Sequence, residues 1–283
     1  MNEPDKNLTL EDAETAEKLA GYFIDLAELL SSLSGSYKNN RFQELMFMPW
    51  AIAENSKALY LLAKNKFGNE AFVLLRALIE KLITFYYLHA CEQDEFENYI
   101  KYSSQKTIWK MSQHLGKGKT EIKVEFNGDF NIDEHPELKK AKDQFTSTKG
   151  KPITHWSRTS IEKKLDVIEA SKIINTDILV LATTSYYDDS SEALHATMYG
   201  CLFHIGAFRP EGGPKSKEDL VNSHHANLSS MFFVMASLLN ELIVFIASEE
   251  NLEDLDIKRD KIDSKVKELM FPLLRRSVNK SAP

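Results

Sequence analysis

The stretch Phe72-Val-Leu-Leu-Arg76-Ala-Leu-Ile-Glu80-Lys-Leu-Ile-Thr-Phe-Tyr-Tyr-Leu88 is the most apolar helical segment in the first half of the chain. At 3.6 residues per turn, Arg76 and Glu80 share one stripe with Phe72, Val73, Ile83, Thr84 and Tyr87. The other faces are apolar apart from Lys81, which predicts a central helix buried nearly all round. Burying an arginine and a carboxylate there is costly unless each finds partners. The order Arg then Glu is the less favourable one for a helical ion pair, so local helix stability does not explain them. The pair marks a polar site inside a helical fold.

Outward from this segment the pattern stays helical. A first helix is expected to start near Thr9, whose Thr9-x-x-Asp12 spacing resembles a capping box, and to stop at Ser34-Gly35-Ser36. A second is expected over 42–66, kinked or broken at Pro49. Gly68-Asn69 ends it and opens the Arg76/Glu80 helix. A fourth is expected over 93–114. From 116 to 159 the helical period disappears: Ile122-Lys-Val-Glu-Phe126 alternates as a strand would, Asn127-Gly128 is a turn signal, and 136–145 suits a short helix. Helices resume at Thr159-x-x-Glu162 and continue to Tyr187, and Asp189 starts another reaching Phe208. Ser216-x-x-Asp219 caps a helix of some thirty residues, followed by a charged one from about Leu255. The reading is all-α: residues 1–283 form a single helical-bundle domain of seven to nine helices. Residues 116–159 are a lysine-rich, partly irregular insertion within it, and 271–283 a frayed basic tail.

Composition bounds the function. The chain has 283 residues, 43% of them hydrophobic, which suits a soluble globular protein. Cys91 and Cys201 sit in apolar helical contexts and read as reduced core residues of a cytoplasmic protein. No signal peptide pattern opens the chain, and the apolar run 231–247 is interrupted by Asn240 and Glu241, so no membrane span is expected. The spacings of zinc sites, Walker loops and Rossmann glycines are missing, and neither a metal nor a cofactor is expected. His224-His225 are adjacent and cannot share a helical face as two ligands; they read as surface residues.

The net charge of −7 disfavours general nucleic-acid binding, yet residues 101–164 hold fourteen Lys and Arg against eight Asp and Glu. That region reads either as a solvated loop or as a phosphate-attracting rim. Lys117, Lys119, Lys151, Trp156 and Arg158 are its candidate RNA- or phosphate-binding residues, Trp156 being placed either to stack on a base or to anchor the returning chain.

The second constellation is Tyr187-x-x-x-Ser191-x-x-x-His195. A helix starting after Asp189 puts Ser191 and His195 one turn apart on an apolar stripe, with free N–H groups at its start that suit an anion. The candidate catalytic set is therefore Arg76, Glu80, His195, Ser191 and Tyr187.

Together these residues resemble a bacterial family of unknown function. It has an arginine–glutamate helix, here after Gly68-Asn-Glu70-Ala71, then a tryptophan–serine segment, Trp156-Ser157, and then a tyrosine–serine–histidine helix; the resemblance covers about 45–205. More distantly, the layout is similar to the HEPN superfamily (higher eukaryotes and prokaryotes nucleotide-binding). That likeness implies a dimeric, metal-independent ribonuclease of toxin–antitoxin or phage-defence systems, with His195 moving the proton, Arg76 stabilising the phosphorane and Glu80 orienting either. HEPN nucleases place arginine and histidine on one helix with four to six residues between them. Here Arg76 and His195 lie on different helices, so any equivalence is spatial. Two other readings stay open: a non-catalytic binding or regulatory module whose Arg/Glu/His network is structural, and a pocket for a nucleotide or small anion. RNA, a nucleotide and a second copy of the chain are the expected partners.

Overall fold

The computed structural model describes residues 12–33, 37, 39–117, 120–125, 131–208 and 212–280. Among the described residues the fold is all-α apart from one two-stranded hairpin. It divides into two compact units, one formed by the residues up to His89 together with those from Ile168 onward, the other by Ala90–Val167. Among the described residues there are twelve α-helices, more than the expected seven to nine.

In the first unit, α1 (Ala13–Ser31) lies against α3 (Phe47–Lys64), α11 (Lys217–Glu250) and α12 (Glu253–Lys280). Its apolar stripe, Ala16, Leu19, Ala20, Phe23, Leu26, Ala27 and Leu30, is the buried one, and Phe23 meets Phe232 at 5.4 Å between ring centroids. The cap proposed at Thr9 lies outside the described residues. The break expected at Pro49 falls earlier, at Met46, between α2 (Asn40–Leu45) and α3. Proline has no N–H to return to the Leu45 carbonyl, so it sits in the first turn of α3, where that donor is not needed.

α4 (Gly68–Ala90) is the Arg76/Glu80 helix. It meets its neighbours through rings: Phe85 and Tyr86 pack edge-on against Phe245 of α11, and Phe72 against Phe203. It is not buried all round. Val73, Arg76, Ala77, Glu80 and Thr84 form a partly exposed stripe, so the polar pair stands at the edge of the core. Gly68 is needed at its start, because a Cβ there would lie 2.8 Å from Cδ2 of His204. α11 is long and apolar enough to cross a membrane, and two-thirds of its most apolar window is buried, as for a core helix. Ser216 caps it as expected, accepting from the Asp219 N–H at 3.0 Å. Cys91 is buried, whereas Cys201 is exposed, against the expectation that both are core residues.

His89 sits near the end of α4 among Phe42, Phe85 and Phe245, and its Nε2 is buried without a hydrogen-bond partner. Burial, aided by the charge of Arg41, pulls the imidazole down from 6.5 to about 4. The folded state therefore keeps His89 neutral while the unfolded chain takes up a proton below 6.5. Stability is full above that value and falls as the pH drops toward 4. We expect a loss of about 2 kcal/mol between pH 7 and pH 5 from this group. Urea denaturation at the two pH values checks it, with His89→Phe expected to flatten the difference.

The helix after α7 (Ile161–Ser171) departs most from expectation. Lys172, with a φ of 56°, ends α7. From Asp177 the chain then runs through α8 (Asp177–Ala182), a π turn (Thr183–Tyr187) and α9 (Asp188–Leu194) without a break. No helix starts at Asp189, and the anion-binding N-terminus expected there does not exist. Thr183 and Thr184 hydroxyls bond back to the Leu179 and Val180 carbonyls, at 2.8 and 3.0 Å, which loosens the helical ladder where it widens into the π turn. α9 closes with Ala196 left-handed at a φ of 53°: its N–H returns to the Ala193 carbonyl and that of Thr197 to Glu192. Glycine is the usual residue in this position. Ala196→Gly should stabilise the protein by about 1 kcal/mol, read as a higher urea midpoint with an unchanged slope. α10 (Met198–Leu202) follows, capped by Thr197.

In the second unit, α5 (Gln93–Met111) is shorter than expected. The chain leaves it for β1 (Ser112–Lys117), which pairs antiparallel with β2 (Thr120–Glu125) in a register from Ser112↔Glu125 to Lys117↔Thr120. His114, expected in the helix, is a strand residue, and Asn127-Gly128 lie outside the described residues. α6 (Pro136–Gln144) forms as expected, with Pro136 at its N-terminus. The rest of the insertion is tied to α5. The Tyr102 hydroxyl donates to the Thr154 carbonyl, and Gln144 donates to Asn98 at 2.6 Å.

Candidate functional site

The π turn has a direct consequence for the polar pair, because the Tyr187 and Ser191 side chains reach Arg76 and Glu80 from this segment. Arg76 Nε donates to Glu80 Oε1 at 3.1 Å, Nη2 to the Tyr187 hydroxyl at 3.3 Å, and Nη1 to Ser191 Oγ. The Tyr187 hydroxyl in turn donates to the same Glu80 Oε1 at 2.7 Å. The guanidinium carbon lies 4.9 Å from the centroid of the Tyr187 ring, close enough for a cation–π contact. All three nitrogens of Arg76 are thus engaged within the chain, by partners more than one hundred positions away in two of the three cases.

The electrostatics follow from this geometry. Burial works against the charge of Arg76, but the hydrogen bonds and charges of Glu80 and Tyr187 outweigh it and hold the guanidinium above its ordinary value. Burial and the bond to Glu80 raise the Tyr187 phenol, with Arg76 pulling the other way, so Tyr187 stays a donor. The side chains of Arg76 and Glu80 are 20% and 45% exposed, so their ion pair alone stabilises by less than about 1 kcal/mol. The bonds across to Tyr187 and Ser191 matter more, because they join two separate helical segments.

His195 does not join them. It is exposed, in the C-cap position of α9, and has no side-chain bond or ion pair among the described residues. The apolar stripe expected to embed it does not exist beyond Leu194, because the helix ends there and Ala196 turns the chain. Of the five candidate catalytic residues the structure gathers four: Arg76, Glu80, Tyr187 and Ser191.

The candidate phosphate-binding residues belong to the second unit. Trp156 anchors its chain: its ring packs edge-on to Tyr99 at 5.2 Å and takes Lys164 Nζ over one face at 4.8 Å. Lys151 and Arg158 are exposed, the backbone of Lys117 lies in β1, and Lys119 is outside the described residues. Among the described residues no group of three or more His, Cys, Asp or Glu is placed to hold a metal. Sequence reading missed a different cluster in the first unit. His224 and His225, expected on the surface, are half-buried and line a cavity with Lys64 and Lys66. Their adjacent numbering hid this, since α3 supplies the other half.

The fold and site define a mainly helical protein in which a partly buried arginine on α4 bonds to a π-distorted helical segment. The chain belongs to DUF5677, a family of unknown function, whose profile matches residues 50–213 and so spans Arg76, Glu80, Trp156, Tyr187, Ser191 and His195. No curated protein and no solved structure matches the chain. None of these comparisons carries the HEPN resemblance.

Proposed function

We propose that this chain is a cytoplasmic, non-catalytic binding or regulatory module, in which Arg76, Glu80, Tyr187 and Ser191 act as a latch. The latch fastens the segment Asp177–Leu194 to α4. The observation that carries this reading is the engagement of all three Arg76 nitrogens by partners within the chain. A guanidinium that stabilises a reacting phosphate must turn its donors toward the substrate. Here three of its five N–H groups are held by Glu80, Tyr187 and Ser191, which fixes the guanidinium plane between the two helical segments.

The ribonuclease reading is the less favoured. Cleavage needs a proton-transfer group within hydrogen-bond reach of the reacting oxygen. The residue assigned that role, His195, stands apart from the network at the exposed end of α9. The test is incubation of the wild-type chain and His195→Ala with transfer RNA from mildly acidic to mildly alkaline pH. The expected result is no cleavage by either protein. Cleavage by wild type that disappears in His195→Ala, with the far-UV circular dichroism unchanged, would overturn the reading.

A further inference from the structure

Between α1, α3 and α11 lies a cavity of about 430 Å³ that the latch does not touch. Its volume falls in the range of small-molecule sites. Its walls are apolar, made by Ala16, Ala20, Ala63, Leu228 and Phe232. Its polar groups are Lys64, Lys66, His224 and His225, with Tyr60 beside Lys64 and, among the described residues, Glu17 as the one acidic residue of the lining. Even with both histidines neutral, the lysines outnumber the carboxylate.

Burial, followed by the charges of His225, His204 and Lys66, pulls the His224 imidazole below its ordinary value. Lys66 is held at the rim by the left-handed turn, with a φ of 65°, that ends α3. Lys64 Nζ stays 5.6 Å from the centroid of the Tyr60 ring. An apolar chamber with a cationic rim suits a ligand that has both parts, an apolar body to replace water on the walls and one anionic group at the mouth.

We infer that the cavity lined by Ala16, Ala63, Phe232, Lys64, Lys66 and His224 binds a small amphipathic anion, an apolar chain or ring ending in a carboxylate or phosphate. The inference deepens the binding-module reading by naming a ligand class, and it rests on that reading only in supposing that the chain binds rather than cleaves. Cavity and latch use different helices, so RNA cleavage bears on the latch alone and ligand binding on the cavity alone.

Isothermal titration calorimetry of the full chain tests it with three probes, kept below micelle-forming concentration. They are decanoate, decyltrimethylammonium, which has the same tail and the opposite charge, and inorganic phosphate, which is a head without a tail. Saturable one-to-one binding of decanoate is expected, with neither of the other probes binding measurably. Charge reversal at two exposed positions, Lys64→Glu with Lys66→Glu, should weaken decanoate by at least about tenfold, with the free protein still folded and its thermal midpoint lowered by only a few degrees. Absence of saturable decanoate binding overturns the inference. So does equal binding of decyltrimethylammonium, phosphate binding as tight as that of decanoate, or a decanoate affinity untouched by the charge reversal.

Discussion

Gly200→Ala should be the most damaging single methyl addition in the first unit, destabilising the protein by about 4 kcal/mol. A Cβ at position 200 would lie 2.1 Å from the carbonyl carbon and oxygen of Glu192 and 2.3 Å from the Ala193 nitrogen. These are backbone atoms at the end of α9, so no side chain can swing aside. α10 must instead move off α9, breaking the bond from the Thr197 N–H to the Glu192 carbonyl and that from the Tyr199 hydroxyl to Asp189. Urea denaturation followed by circular dichroism reads the loss. A Gly21→Ala control, where nothing lies within 4 Å of the added methyl, should cost no stability.

The second large effect is expected at Arg76. Arg76→Ala removes the donors to Ser191, Tyr187 and Glu80 together with the cation–π contact, and should cost about 3 kcal/mol. The exposed ion pair supplies little of that. Most comes from bonds of a charged donor to neutral hydroxyls in a partly desolvated place, where each is worth more than a neutral bond. Arg76→Lys should recover only a fraction, because an ammonium cannot donate in three fixed directions from one plane. Thermal unfolding of the two variants beside wild type measures both effects.

Much of this fold was legible in the sequence because its signals are local. The α4 stripe, the Ser216 cap on α11, Pro136 at the head of α6 and the Gly68 start of α4 all follow from helical period and terminal chemistry. The candidate site was legible to the extent that unlike residues on apolar helices need partners. Arg76 and Glu80 satisfy each other only in part within their own helix, and Tyr187 and Ser191 supply the remaining partners. What failed depended on how helices end or widen. An alanine in the left-handed region at 196 leaves no compositional mark, yet it turns the chain away and ends the apolar stripe expected to cover His195. The π turn shows in sequence only as three successive hydroxyl residues, Thr183-Thr184-Ser185, of which the two threonines bond back to carbonyls and compete with the ladder. The cavity was illegible for another reason. Its cationic rim comes from α3 and α11, which are far apart in the chain and carry no shared motif.

The latch itself is tested most directly by a double-mutant cycle between Arg76→Ala on α4 and Ser191→Ala on α9, each variant and the pair measured by urea denaturation. If the two side chains fasten one helical segment to the other, the losses are non-additive, with a coupling of at least about 1 kcal/mol. Additive losses, agreeing within about 0.3 kcal/mol, would mean that Arg76 and Ser191 stabilise the protein independently, and would contradict the latch.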